Sequence, residues 1–176
     1  MSNPEYTVAH FIDTPIPGGT RVDAWPLHMT LISPFTLNGS SQEAVALEAI
    51  KRAGQETGPL QLLNGGTIAP GAVPLVPSER DFFGESNEVE VIRIDDPSDQ
   101  LVTLHKNVLV ALGRLGCGFI GLNPLWSGDN YHPHATTKSG VTLNHPFFMT
   151  TLSLNKKSGK KKTVVGTVDL YNQRLV

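Results

Sequence analysis

The sequence predicts an α+β chain built of two similar halves. Three observations carry this reading. A strand-helix-strand pattern runs over residues 28–63, a second runs over 88–138, and a closing strand pair brackets Ser158-Gly159. The halves share no clear sequence repeat, so their likeness is one of pattern alone. With 176 residues and 39% hydrophobic content, the chain can bury one sizeable core, and residues 1–176 are expected to form a single domain of two lobes.

Residues 6–12 are β-favouring and give the first strand, with His10 inside it as a structural histidine. The prolines and glycines of 14–19 make a loop. Trp25 follows, able to stack on a base or to pack in the core. The next strand runs to Leu37 and is broken by Asn38-Gly39. Ser40 and Glu43 form a capping box for a helix with Ala46, Ala49, Ile50 and Ala53 on its buried face. That helix should stop near Gly58-Pro59, ahead of a short strand at 60–63. Residues 64–86 read as loop with at most short strands, anchored by Phe82 and Phe83.

In the second half, residues 88–94 alternate as a strand, with Val89, Val91 and Arg93 sharing a face. Asp96 as N-cap and Pro97 at the first helical position open a helix with Leu101, Leu104, Val108, Leu112 and Leu115 as its buried stripe. Gly116 is its C-cap, and His105 beside the stripe is packed or half-exposed. Residues 147–155 and 162–171 make the final hairpin. Its tip carries Lys156, Lys157, Lys160, Lys161 and Lys162, which solvate the turn and discourage edge pairing or touch a nucleic-acid backbone.

Chemistry concentrates in two tripeptides, His28-Met29-Thr30 and His134-Ala135-Thr136. Residues i and i+2 of a strand point to one face, so each copy presents an imidazole and a hydroxyl together. A single copy is what chance provides in a chain with six histidines. Both copies, however, lie in β-favouring surroundings with a proline just upstream. One imidazole can be a general base and the other a general acid. The two hydroxyls can donate to phosphate oxygens. Lys138 falls on the face of His134 and Thr136, His132 stands two positions before His134, and Trp126 borders this run.

A formal net charge of −2 gives no overall attraction to a polyanion, so long duplex nucleic acid is excluded and a nucleotide or short strand end is retained. The single cysteine, Cys117, fits a reducing compartment as a small buried residue. No signal-peptide pattern and no membrane span is read. A soluble, cytoplasmic monomer is the expectation.

With this pair of His-x-Thr motifs, the chain resembles the 2H phosphoesterase superfamily, the 2'-5' RNA ligase-like and 2',3'-cyclic phosphodiesterase family. The resemblance runs over roughly residues 5–172. It implies two pseudo-symmetric lobes with antiparallel sheets flanked by helices and an active-site cleft between them. It implies His28, Thr30, His134 and Thr136 as catalytic residues; Trp25, His132 and Lys138 are, by their positions, the candidate substrate-binding residues. No cofactor and no metal are implied. The substrate expected is a nucleotide or RNA end carrying a 2',3'-cyclic phosphate. Two other readings stay open: a nucleotide or RNA-end binding module with little turnover, and a metal-dependent hydrolase using His132 and His134.

Overall fold

In the computed structural model, residues 3–12, 14–57, 62–63, 67–68, 74–83, 86, 89–97, 99–120, 127–137 and 142–170 are described. Eleven strands are present among them: β1 Glu5–Phe11, β2 Arg21–Val22, β3 His28–Thr36, β4 Leu62–Leu63, β5 Thr67–Ile68, β6 Val76–Phe83, β7 Val89–Asp95, β8 Gly118–Phe119, β9 His134–Thr136, β10 Thr151–Ser158 and β11 Lys161–Asp169. Two helices accompany them, α1 Glu43–Thr57 and α2 Gln100–Gly113. The main sheet has the order β2-β11-β10-β1-β3-β9-β7-β6, with β8 also on β3, while β4 and β5 pair only with each other. All of its pairings are antiparallel. This is the predicted α+β class.

The two halves meet where β3 pairs with β9, and the register there is Met29↔Ala135. Both side chains are fully buried, beneath a core that includes Leu31, Phe35, Ile50, Leu104, Leu112 and Leu154. α1 packs on α2 and on β10–β11, and α2 packs on β3, so both helices cover this face. Each large apolar side chain buried in this core contributes about 1.5–3 kcal/mol. The buried faces match the predicted stripes at Ala46, Ile50 and Ala53 in α1 and at Leu101, Leu104, Val108 and Leu112 in α2. Cys117 is partly buried against the core. Among the described residues, no helix is long and apolar enough to cross a membrane.

Three local expectations are corrected. Eight residues of the predicted 64–86 loop form β6, at the edge of the sheet on β7. α2 starts at Gln100, with Asp99 at its N-cap in the left-handed region (φ 55°). Asp96 still serves that helix end, because its Oδ2 accepts the Leu101 N–H at 2.6 Å. A 3-10 turn over Ser40–Gln42 stands where Ser40 is the expected N-cap. Glu43 instead accepts from Tyr6 Oη and Lys156 Nζ, both at 2.8 Å. The hairpin turns as predicted, with Gly159 at φ 59° in the left-handed conformation that glycine adopts without cost.

Candidate active site

Each His-x-Thr strand alternates in burial. Met29 and Ala135 go to the core, while His28, Thr30, His134 and Thr136 are half-buried on the opposite face. The antiparallel Met29↔Ala135 register then fixes how the four lie. One residue either side, His28 falls opposite Thr136 and Thr30 falls opposite His134. Directly opposed residues have Cβ atoms about 4.5–5.5 Å apart, and diagonal ones are about 7–8 Å apart. The histidines therefore occupy one diagonal of a quadrilateral and the threonines the other.

Both imidazoles are fixed by the same local device. His28 Nδ1 lies 2.6 Å from the Pro26 carbonyl, and His134 Nδ1 lies 2.9 Å from the His132 carbonyl. A carbonyl only accepts, so each Nδ1 carries a proton and Nε2 becomes the nitrogen that titrates. Burial pushes the His134 pKa below the ordinary histidine value. The bond to the His132 carbonyl opposes that shift, and the nearby His28 and His132 side chains reinforce it.

The rings rest against different walls. Phe83, from β6, stands over His134 with centroids 4.6 Å apart. Phe11, on β1 opposite His28, meets that ring edge-on at 6.1 Å. Trp25 packs on the other side of Phe11 at 6.2 Å, and Lys162 Nζ sits 6.0 Å over the indole. Trp25 thus packs on Phe11, the ring that also meets His28. His132 is exposed and is felt electrostatically by His134 and by Asp81. Lys138 and Trp126 lie outside the described residues.

Several neighbours were not anticipated as site residues. Arg93 is the register partner of His134 on β7, and its Nη2 pairs with Asp81 Oδ2 at 2.7 Å. The Phe82 N–H and Arg93 hold the Asp81 carboxyl below its ordinary pKa. Beneath the site, His105 is buried with both ring nitrogens engaged. Its Nδ1 donates to the Leu31 carbonyl at 2.7 Å, and its Nε2 accepts the Gly128 N–H at 3.0 Å. Its ring stacks on Tyr131 at 4.3 Å, and Tyr131 Oη donates to the Thr30 carbonyl at 2.8 Å. The approach to the second motif is thereby tied to the strand of the first. His10 is structural as expected, buried with Nδ1 3.0 Å from the Thr151 carbonyl and stacked on Phe147. Among the described residues, no three His, Cys, Asp or Glu side chains converge as metal ligands.

The chain matches the family model described as the 2'-5' RNA ligase superfamily over residues 14–174. No curated protein sequence matches. Solved structures share its fold. One is a phosphoesterase (TM-score 0.58, 19% identity, 97% of this chain and 100% of that one). Another is E. coli LigT complexed with 3'-AMP (TM-score 0.55, 18% identity, 97% and 100%). A third is the MHV ns2 PDE domain (TM-score 0.51, 14% identity, 89% and 100%). With its family model spanning nearly the whole chain, this protein belongs to the 2'-5' RNA ligase superfamily, the 2H phosphoesterases.

Proposed function

We propose that the protein is a metal-independent phosphodiesterase that opens a 2',3'-cyclic phosphate, or another strained or internal ribose phosphodiester, by two-histidine acid-base catalysis. The observation that carries the reading is the Met29↔Ala135 register, which sets two imidazoles on one diagonal and two hydroxyls on the other. A phosphate centred among them has an imidazole on each side, as in-line displacement at phosphorus requires. The hydroxyls of Thr30 and Thr136 donate to its non-bridging oxygens and strengthen as charge builds.

The unequal surroundings divide the roles. His134 has its pKa held down by burial and is neutral near pH 7, so it is the base. Its Nε2 takes a proton from water as the oxygen attacks phosphorus. The bond from phosphorus to one ribose oxygen breaks, and protonated His28 gives its Nε2 proton to that oxygen. The products are a phosphomonoester, an imidazolium at His134 and a neutral imidazole at His28, which exchange protons with solvent to reset the pair. His132 and Trp25 flank the bound nucleotide. The working species is a monomer acting on nucleotides or short RNA ends.

The test is a screen of cyclic and linear nucleotide phosphates with and without EDTA. Turnover of a 2',3'-cyclic mononucleotide that survives chelation is expected. Activity lost to EDTA and restored by zinc transfers the assignment to a metal site at His132 and His134. Tight binding without turnover makes the protein a nucleotide-binding module.

A further inference from the structure

We infer that the β10–β11 hairpin and Trp25 form a docking surface for single-stranded RNA, which leaves the site on the His28 side. The inference rests on the phosphodiesterase reading for its direction and on the surface's own chemistry for its existence. The His28 ring meets the buried Phe11, Phe11 meets the half-exposed Trp25, and Lys162 sits over the indole, each a ring or cation contact of about 6 Å, so Phe11 is the buried support that holds Trp25 and Lys162 beside the site. Lys162 is two residues from Val164, which packs with Phe11 and Ile16, so Lys162 stands on the site face of the sheet. Beyond it lie Lys160 and Lys161 at the tip, where Lys160 is exposed and, among the described residues, neither meets a carboxylate. From β3 across β1 and β10 to β11 is three strand spacings, about 14 Å, the reach of a few nucleotides.

Charge selects this edge over the other. On the β6–β7 edge, Arg80 pairs with Glu90 at 2.6 Å, and Arg93 pairs with Asp81 at 2.7 Å, with Glu79 at 3.9 Å. Those guanidiniums are already neutralised. At the hairpin, five lysines outnumber the acids near them: Glu43 pairs with Lys156 at 2.8 Å and Glu5 with Lys157 at 3.7 Å, while Lys162 donates to the Asp23 carbonyl. Chemistry gives the same direction. The oxygen leaving phosphorus belongs to the ribose of the RNA chain, and the group that protonates it is His28. A half-exposed aromatic followed by lysines matches a stacked base followed by backbone phosphates.

The test compares wild type with the combined Lys160→Ala, Lys161→Ala, Lys162→Ala variant on a 2',3'-cyclic mononucleotide and on an RNA of about six nucleotides ending in the same group. KM is measured across salt, and anisotropy of a labelled RNA ending in a 3'-phosphate is measured in parallel. The expected result is a roughly tenfold rise in KM and Kd for the oligonucleotide. A smaller change is expected for the mononucleotide, and the salt slope should flatten by about 0.7 for each phosphate that the variant no longer neutralises. Equal changes on both substrates, or an unchanged oligonucleotide Kd, overturn the docking surface. So does equal competition by duplex RNA of the same length. Lysine-dependent RNA binding without turnover keeps the surface and defeats the phosphodiesterase reading. Turnover with no lysine dependence does the reverse.

Discussion

His28 and His134 are held alike and housed differently. In both, Nδ1 donates to the carbonyl two residues upstream, and in both a proline shapes the approach. Yet His134 lies under the Phe83 ring beside a neutralised Arg93–Asp81 pair, whereas His28 meets the edge of Phe11 with Trp25 and a lysine-bearing hairpin beyond. The local device sets the same tautomer in both, while burial lowers the pKa of His134. On the proposed mechanism, a twofold motif does one-directional chemistry although both tripeptides carry the same His-x-Thr pattern.

The largest expected effect comes from breaking the pair itself. His28→Ala and His134→Ala should each cost about two to four orders of magnitude in turnover. Their pH profiles should differ. His134→Ala removes the acid limb, which reports loss of the neutral base, and His28→Ala removes the alkaline limb, which reports loss of the protonated acid. The double variant should lose less than the sum, as groups acting as a unit do. Full activity in either single variant ends the paired reading.

The threonine diagonal comes next. Thr30→Ala and Thr136→Ala should each lower turnover by about two to three orders of magnitude. Circular dichroism should be unchanged, since both side chains lie on the face away from the core. Wild-type rates in both would reduce the threonines to strand residues.

The motifs and helix stripes were legible because each depends on a local period, two for the strand and 3.6 for the helix. The walls were not. Phe83 reaches His134 only through the pairing chain β6–β7–β9, and β6 carries little signal of its own: it is an edge strand, contains Pro77 and leaves Ser78, Glu79 and Arg80 exposed. A strand with one neighbour needs no apolar alternation, and proline is tolerated there. Glu43 shows the opposite failure. Its capping pattern was clear, but Lys156, 113 positions away, offers a charge-assisted bond that the local cap cannot match.

The two halves are sharpened as a unit by His105, which joins the first motif strand to the approach of the second. Leucine there leaves the buried Leu31 carbonyl without its donor, at about 1–3 kcal/mol, and the half-exposed Gly128 N–H without its acceptor. Urea melts of His105→Leu should show a loss of that order. Burial lowers the His105 pKa, as it does that of His134. The folded state then binds fewer protons than the unfolded chain below the ordinary value of about 6.5. Wild-type stability should be full above that value and fall as pH drops beneath it. Part of that fall should vanish in His105→Leu.

The smallest and most discriminating effect is expected at Phe83. Its ring, 4.6 Å from His134, excludes water from one face of the imidazole, and desolvation is the largest cause of the lowered His134 pKa. Phe83→Ala opens that face while leaving the Nδ1 bond to the His132 carbonyl in place. Water can then solvate the imidazolium, so the His134 pKa rises toward the ordinary histidine value. The acid limb of the kcat/KM profile should move to higher pH, and the rate on the plateau should change little beside the losses at the histidines. Trp25→Ala, on the His28 side, should leave that limb where it is while weakening binding of nucleotide. If Phe83→Ala leaves the acid limb in place, or if Trp25→Ala moves it, then the walls do not divide the roles, and the assignment of His134 as base and His28 as acid must be reversed or abandoned.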